Sequence, residues 1–291
     1  MWAHARYAAL VRATRCAVWI WYRGDFFHGF QSLRGANTVQ GTIAGALGPL
    51  GVGGSASGAS RTDRGVHARM QLLRVHLPPG VSAEAIAGHL DSAAPGALGV
   101  VAVRPAARAF HPQWTAIEKE YRYRMAVGAT PPSEWQPFAW SVREHPRFRG
   151  ADPDPARLAE ILRRFEGTRD FIAFHEKSSP RRSRTLRHAS VREVDRGVFE
   201  LRLVGDNFGR FQVRYLAGAL ALIAAGIVPE DVLRASLDAG VPFPGIKAPA
   251  AALVLWNLAY PPEIDPFSGD ERANPRGIPA GPPFADVRSA H

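Results

Sequence analysis

The feature that most constrains the fold is a strict alternation of side chains over residues 119–127. Tyr121, Tyr123, Met125 and Val127 fall on one side of an extended chain, with Arg122 and Arg124 on the other. A period of two is typical of a β-strand that buries one face. Shorter runs rich in β-branched and aromatic residues, at 16–22 and 69–77, predict two further strands.

Segments with helical spacing separate these strands. Thr38 is a suitable N-cap for a helix that ends near Leu47, and further helices are predicted over 155–165, 210–225 and 229–238. Residues 189–194 and 198–204 are expected to pair as strands. The mixed order of strands and helices predicts an α+β fold with antiparallel hairpins, and does not suit a doubly wound parallel sheet.

The length of 291 residues allows one large domain or two associated halves. We expect two associated α/β-sandwich halves, with a largely antiparallel sheet across a basic catalytic cleft. The predicted segments are a loose extension (1–14), a first half with a glycine-rich loop (15–128), a linker or insertion rich in Pro, Arg and Trp (129–150), a second half (151–260) and a proline-rich tail (261–291).

The charge balance favours a polyanionic partner. The chain has 36 Lys and Arg against 26 Asp and Glu, a formal net charge of +10, and only three of the basic residues are lysines. Arginine makes planar, bidentate contacts with phosphate and also stacks on bases. A GC-rich genome could account for arginine in place of lysine, but that bias would not by itself produce the net excess.

The densest basic segment covers residues 177–188, where six of twelve positions are Lys, Arg or His. Such a cluster is unfavourable as an isolated solvated loop and suits a phosphate clamp. We therefore name Arg181, Arg182 and Arg184 as candidate substrate-binding residues. Phosphate contacts of this kind carry no base-specific information.

Other features exclude several classes of protein. The single cysteine, Cys16, excludes an intramolecular disulfide and a zinc site with several cysteines. The longest apolar run, 215–228, is too short to span a bilayer. No secretory signal pattern opens the chain, so a cytoplasmic location without membrane contact is expected. The glycine-rich stretch before Ser55 lacks the Gly-Lys-Ser/Thr ending of a P-loop, so no nucleotide cofactor is expected.

A glycine-containing loop over residues 58–68 holds the main candidate for chemistry. Asp63 lies two residues after Arg61 and directly before Arg64. Guanidinium groups nearby keep a carboxylate ionised. Taken alone, these three residues are more typical of a surface charge pair, which contributes little.

The longer string changes that interpretation. Residues 58–68, with the sequence Gly-Ala-Ser-Arg-Thr-Asp-Arg-Gly-Val-His-Ala, resemble the catalytic signature of the TruA family of tRNA pseudouridine synthases. The resemblance extends over roughly residues 16–260 through six flanking blocks. These blocks are Tyr22–Gln31, Thr38–Gln40, Phe110–Tyr123, Gly167–Phe174, Phe208–Gly218 and Ala248–Leu255.

The chain departs from the family pattern at four positions. Ser60 and Ala252 stand where the family has glycine, Arg23 where it has aspartate, and Phe30 where it has tryptophan. These differences put the substrate range in doubt, and none of them removes a residue of the catalytic pattern.

The resemblance implies a reaction and a role for each site residue. Asp63 is the catalytic carboxylate, acting either as nucleophile or as stabiliser of an electron-deficient sugar, which the residue types leave open. Arg214 pairs with Asp63 and orients it, and Arg61 holds the flipped nucleotide. Tyr121 stacks on the uracil and Leu253 lines the pocket. Arg64 and His67 are added as substrate-binding candidates.

The resemblance also implies a homodimer that acts on the anticodon stem-loop of tRNA, at or near positions 38–40, with no metal and no organic cofactor. Two alternatives stay open. The first is a catalytically silent RNA-binding paralogue, which would keep the basic surface. The second is a hydrolase that uses Asp63 with His67, which would need a second carboxylate or a set of metal ligands that the sequence does not supply.

Overall fold

A computed structural model describes residues 15–52, 56–176, 178 and 182–286. The chain divides into two compact units. Unit 1 comprises Met1–Ile117 and Leu255–Ala280, and unit 2 comprises Glu118–Val254 and Gly281–His291. The N-terminal extension predicted at 1–14 lies outside the described residues.

Unit 1 is built on the strand order β4-β1-β3-β10, with the short β2 paired to β3. The strands β1 and β3 are antiparallel, as are β1 and β4 and β2 and β3. Its elements are β1 (Arg15–Tyr22), α1 (Val39–Leu47), β2 (Ser57–Gly58), β3 (His67–His76), α2 (Ala83–Ala93), β4 (Leu98–Pro105), most of β10 (Leu253–Ala259) and α6 (Gly269–Ala273).

The core of unit 1 forms around β1, in which every residue from Cys16 to Tyr22 is buried. An uninterrupted buried run shows that both faces of this strand are covered. Both long helices of the unit begin at a hydroxyl cap, because Thr38 accepts a hydrogen bond from the Gly41 amide and Ser82 accepts one from the Ala85 amide. The predicted cap at Thr38 is therefore confirmed.

Unit 2 has the strand order β5-β9-β8-β7, antiparallel throughout, with β6 parallel to β5. The predicted pairing of residues 189–194 with 198–204 is confirmed by the β8–β9 hairpin. The elements are β5 (Glu118–Ala126), β6 (Trp140–Ser141), α3 (Pro155–Arg163), β7 (Gly167–Arg169), β8 (Arg184–Asp195), β9 (Val198–Gly205), α4 (Gln212–Ala224) and α5 (Glu230–Asp238).

The predicted α+β class with antiparallel pairing is confirmed in both units. No helix of the described residues is long and apolar enough to cross a membrane. The apolar run at 215–228 instead forms most of α4, which is buried along nearly its whole length.

The segment predicted as a linker or insertion, 129–150, is an integral part of unit 2. It supplies β6 and buries aromatic side chains, among them Trp135 and Phe148 with 3% and 1% of their surface exposed. The boundary between units also differs from the predicted one, because β5 pairs with β9 and so belongs to unit 2. Proline and arginine suggested a linker, but the large aromatic residues between them decide the packing.

The segment predicted as a tail, 261–291, is packed as far as it is described. In unit 1 Phe267 is buried, and its ring centroid lies 5.6 Å from that of Trp19. In unit 2 Phe284 is buried, and Arg124 Nη1 donates a 2.6 Å hydrogen bond to the Pro283 carbonyl. The high proline content therefore marks an irregular path and not a detached tail.

A buried ion pair fixes the segment before Asp286 to unit 2. Arg124 and Glu200 are 0% and 1% exposed, and their Nη2 and Oε2 atoms lie 2.6 Å apart. Arg122 reaches both Glu200 and Asp286, at 3.3 Å and 2.9 Å. Buried charges of this kind are tolerated only when they are paired.

Candidate active site

Asp63 lies in the loop of residues 59–66, which joins β2 to β3 in unit 1. Its side chain is partly buried, whereas those of the flanking Arg61 and Arg64 are exposed. The loop therefore presents one carboxylate between two guanidinium groups that face solvent. This arrangement suits a site that binds a phosphate-bearing ligand beside a catalytic carboxylate.

Gln71 on β3 fastens the start of this loop. Its Oε1 accepts hydrogen bonds from the Ala59 and Ser60 amides at 2.9 Å and 3.2 Å, and its Nε2 donates to the Ser60 carbonyl at 2.6 Å. Nε2 also donates to the Tyr22 hydroxyl at 3.3 Å. Gln71 is fully buried, so these bonds replace the water that the loop backbone would otherwise need.

The residue before Asp63 is fastened on two sides. The Thr62 hydroxyl lies 2.7 Å from the Tyr22 hydroxyl, and the Thr62 carbonyl accepts a 3.0 Å hydrogen bond from the Phe30 amide. Thr62 and Tyr22 are both buried. The backbone on the N-terminal side of Asp63 is therefore held in place before any substrate binds.

The C-terminal end of the loop packs closely against the backbone of Gly24, where only glycine fits. A Cβ atom on Gly24 would lie 2.2 Å from the Val66 carbonyl oxygen, which is too close for any other residue. Gly65 itself has φ +85°, a conformation that favours glycine. The Val66 amide then donates to the Asp63 carbonyl at 3.1 Å, which closes a turn at Asp63.

Tyr121 lies on β5 in unit 2 and is 8% exposed. Its ring packs edge-on against Phe208, with the ring centroids 5.0 Å apart. Lys119 is two residues earlier and therefore on the same face of the strand. Burial lowers the pKa of Lys119 to about 8, and the charge of Arg182 adds to the shift.

Arg214 lies in the first turn of α4 and is anchored through its guanidinium group. Its Nε donates a 2.6 Å hydrogen bond to the Ala248 carbonyl, and the Ala248 amide in turn donates to the Arg214 carbonyl. The guanidinium carbon also lies 5.2 Å from the centroid of the Phe211 ring. The side chain is thus positioned by an acceptor and by an aromatic face.

Three cationic side chains contact the ring of Phe211. Besides Arg214, the Arg210 guanidinium and the Lys247 ammonium lie 4.8 Å and 4.1 Å from the ring centroid. Cations are attracted to the face of an aromatic ring. Phe211 also has φ +61°, which is unfavourable for a side chain of this size.

Leu253 begins β10 and is 5% exposed. The segment that leads to it is tied to two elements of unit 2, because Ala248 bonds Arg214 on α4 and the Pro249 carbonyl accepts the Tyr123 hydroxyl of β5 at 3.1 Å. Burial raises the pKa of the Tyr123 phenol well above its usual range, against an opposing effect of Arg214. Unit 2 thus holds Leu253, Arg214 and the strand of Tyr121 in one hydrogen-bonded arrangement.

Comparison with known proteins identifies the family to which this chain is similar. Residues 161–261 match the family model described as tRNA pseudouridine synthase. The tRNA pseudouridine synthase A of Thermus thermophilus is 33% identical over 248 residues, which are 83% of this chain and 95% of the relative. That of Beijerinckia indica is 30% identical and covers 86% of this chain and 96% of the relative.

The chain belongs to the tRNA pseudouridine synthase A family. The family predicted from the motif at 58–68 is therefore confirmed. The synthase of Geobacillus kaustophilus is also similar, with 31% identity over 83% of this chain and 93% of the relative. Among solved structures, a chain in a Cbf5-Nop10-Gar1 complex shares 13% identity and a TM-score of 0.35, over 75% of this chain and 46% of that chain. A likeness this loose carries no conclusion.

Two residues expected to bind substrate have structural surroundings instead. His67 is fully buried, and its Nδ1 accepts a 3.0 Å hydrogen bond from the Gly24 amide. The Asp25 carboxylate lies 3.8 Å from the same Nδ1. Arg184 is 1% exposed and donates to the Asp170 and Arg182 carbonyls at 3.2 Å. Both side chains are therefore buried against backbone groups of the chain itself.

The remaining basic candidates differ in what the structure says of them. Arg182 is exposed two residues before the start of β8, where a polyanion could contact it. Arg181 and Lys177 lie outside the described residues. Among the residues that the structure describes, no group of three or more His, Cys, Asp or Glu side chains could hold a metal ion.

The sequence analysis assigned no role to Phe211, Lys119 or Lys247, which the structure places near the predicted site residues Arg214 and Tyr121. Phe211 stands between Arg210 and Arg214 in the sequence, and this spacing was the available signal. Lys119 was named as a strand residue and within the family block Phe110–Tyr123 but was given no role, although its place two residues before Tyr121 assigns both to the same face. Lys247 gave no signal, because its contact with the Phe211 ring depends on the tertiary fold.

Proposed function

We propose that this chain isomerises uridine to pseudouridine in tRNA, with Asp63 as the catalytic carboxylate. The observation that carries the proposal is the construction of the Asp63 loop. Gln71, Tyr22 and Thr62 hold its backbone by hydrogen bonds, and the close approach of Gly24 leaves its end no room to shift. A carboxylate held in this way loses little freedom when substrate binds, which favours catalysis.

The reaction needs no group from outside the substrate. The C1′–N1 bond of the uridine breaks, the uracil turns, a bond forms between C1′ and C5, and the hydrogen on C5 leaves as a proton while N1 gains one. Asp63 serves either as the nucleophile that traps the sugar or as the charge that stabilises it. The uridine must first leave its stack, at a cost of a few kcal/mol that contacts in the pocket offset.

The other site residues have separate tasks in this proposal. Arg214 orients Asp63, Tyr121 stacks on the uracil and assists loss of the C5 proton, and Leu253 lines the pocket. Arg61 holds the flipped nucleotide or its phosphate. Support for these roles comes from the family pattern and from the local anchoring of Arg214 at the Ala248 carbonyl.

The coupling of Asp63 with Arg214 is testable by a double-mutant cycle. Asp63→Glu, which keeps the carboxylate but shifts its position, Arg214→Lys and the double variant would be compared for single-turnover rate on one tRNA transcript. If the two residues act as a unit, the double variant is no slower than the Asp63 variant alone, because the effects are not additive. Rate losses that add would contradict the pairing.

The substrate part of the proposal is the anticodon stem-loop of tRNA, at positions 38–40. The relatives that match 83–86% of this chain carry the name tRNA pseudouridine synthase A, and the net charge of +10 suits a polyanion. We also propose a homodimer located in the cytoplasm. The exposed Arg61, Arg64 and Arg182 are the candidate phosphate contacts.

Pseudouridine mapping by carbodiimide treatment and primer extension would test the substrate. Transcripts with uridine at 38, 39 or 40 should gain a stop after incubation, and matched transcripts with cytidine at those positions should not. Stops only outside the anticodon arm would overturn the substrate and leave the chemistry standing. Sedimentation equilibrium of the same preparation would test the dimer, which a monomer at micromolar concentration would contradict.

A further inference from the structure

Trp114 is the most exposed large hydrophobic residue in the described part of the chain, with 78% of its surface accessible. Every other described tryptophan is buried, namely Trp19, Trp21, Trp135, Trp140 and Trp256. An indole in water is unfavourable, so its exposure on a folded surface points to a binding role.

The indole of Trp114 lies flat on the imidazole of His111. Their ring centroids are 3.8 Å apart and the ring planes differ by 7°. One face of the indole is therefore covered by His111 and the other is left open. A flat, supported aromatic face is the geometry on which single-stranded nucleobases stack.

The loop that carries Trp114 is rigid. His111 Nδ1 accepts hydrogen bonds from the Gln113 and Trp114 amides, both at 3.2 Å. The Thr115 hydroxyl donates to the His111 carbonyl at 2.7 Å, and the Tyr260 hydroxyl donates to the Pro112 carbonyl at 2.6 Å. The indole is thus presented in a fixed orientation, so that stacking on it costs little conformational entropy.

Basic side chains lie near this loop. One of them, Arg74, also connects the loop to β2, the strand that leads into the Asp63 loop. Arg74 Nη1 donates to the Phe110 carbonyl at 3.3 Å, and Arg74 pairs across the sheet with Ser57 on β2. Burial and the charge of Arg74 lower the pKa of His111, so the stacked imidazole is neutral at pH 7. Arg108, exposed in the same loop, adds a second positive charge.

We propose that Trp114 is a stacking platform for a nucleobase of the RNA substrate, outside the pocket that holds the target uridine. The base occupies the open face of the indole, and Arg74 and Arg108 supply the positive charge that attracts the adjoining phosphates. The inference rests on the proposed function, since it takes RNA as the ligand.

Binding would be measured with unmodified tRNA transcript in an Asp63→Ala background, where no turnover occurs. Trp114→Ala should weaken binding roughly 5- to 100-fold, the range for loss of one stacked base. Trp114→Phe keeps an aromatic face and should retain most of the affinity. Because the other described tryptophans are buried, the fluorescence of Trp114 should be quenched by RNA, and Trp114→Phe should lose most of that quenching.

Two outcomes would overturn the platform. If Trp114→Ala bound RNA as tightly as the unchanged protein, and RNA quenched its tryptophan fluorescence to the same extent, no base would stack on Trp114. Loss of dimerisation in Trp114→Ala, with unchanged RNA affinity per protomer, would assign the surface to a second copy of the chain. Failure of the proposed function would be recognised by a separate assay. In that case the intact protein would bind tRNA but release no tritium from tRNA labelled at C5 of its uridines.

Discussion

The hydroxyl groups of Tyr22 and Thr62 lie 2.7 Å apart. This hydrogen bond joins the end of the first strand to the residue next to Asp63. The Tyr22 hydroxyl also accepts from Gln71 Nε2, which further binds the start of the same loop. The side chains of Tyr22, Thr62 and Gln71 therefore form a short buried hydrogen-bonded chain that holds the backbone next to Asp63.

Gln71→Leu tests this chain of hydrogen bonds. The substitution keeps the volume and removes the hydrogen bonds that Gln71 makes with the Ser60 amide and the Ser60 carbonyl, while the Ala59 amide keeps its 3.0 Å bond to the Leu72 carbonyl. A buried polar group without a partner costs about 1–3 kcal/mol, so the free energy of unfolding should fall by at least that amount. The single-turnover rate should fall by about tenfold or more, because the loop loses its fixed geometry.

Urea denaturation and single-turnover kinetics on one tRNA transcript would measure both effects for Gln71→Leu. Stability and rate equal to those of the unchanged protein would show that Gln71 does not hold the loop.

Gly24→Ala tests the close approach at the end of the loop. The new methyl group would meet the Val66 carbonyl oxygen at 2.2 Å, so the backbone of one segment must move. We expect about 1–3 kcal/mol of destabilisation, in the range of an overpacked core, and a loss of activity greater than that of Gln71→Leu.

Gly45→Ala is the matched control for Gly24→Ala. Gly45 lies within α1 and a Cβ atom there meets nothing within 4 Å. Alanine is the better helix former by roughly 0.5–1 kcal/mol, so this variant should be more stable and fully active. Equal behaviour of the two alanine variants would refute the steric argument.

Phe211→Leu tests the aromatic ring that collects Arg210, Arg214 and Lys247. Leucine keeps an apolar side chain but has no π-face, so the three cations lose their shared attraction and repel one another. We expect the single-turnover rate to fall by roughly tenfold, in line with one or two cation–π contacts, with a smaller effect on RNA affinity.

Phe211→Tyr keeps the ring and should retain nearly the full rate. If Phe211→Leu were as fast as Phe211→Tyr, the position of Arg214 would depend on the Ala248 carbonyl and not on the ring.

Lys119 should make stability depend on pH. Its pKa is lowered from 10.5 to about 8 in the folded protein, so between those values the unfolded chain binds a proton that the folded chain does not. Stability must therefore rise as the pH increases from 8 to 10.5, by about 2–4 kcal/mol. Below pH 8 the folded protein carries the buried charge and this gain is absent.

Lys119→Met removes the titrating group and keeps the volume. Urea denaturation between pH 7 and 10.5 should show the unchanged protein gaining stability relative to the methionine variant as the pH rises. Parallel stability curves for the two proteins would contradict the lowered pKa.

The sequence predicts local structure well where the pattern is local. The alternation at 119–127 predicted β5, Thr38 predicted the start of α1, and the hairpin of β8 and β9 followed from two adjacent strand patterns. The packing of 129–150 could not be predicted, because the burial of Trp135 and Phe148 depends on partners far away in the chain.

The same limit applies to the site. Asp63 and its arginines are adjacent in the sequence, so the motif identified them together. The burial of His67 and Arg184 depends on the Gly24 amide and the Asp170 carbonyl, and no local pattern reports such contacts. Basic or imidazole side chains in a motif were therefore assigned to substrate when the fold uses them internally.

The most direct test of the central claim is release of tritium from [5-³H]uridine-labelled tRNA transcripts. The intact protein should release the label from an anticodon-arm substrate in proportion to pseudouridine formed, and Asp63→Asn, which keeps the shape of the side chain, should release none above background. Release by Asp63→Asn at the rate of the intact protein would contradict Asp63 as the catalytic carboxylate, and no release by the intact protein would contradict the proposed reaction.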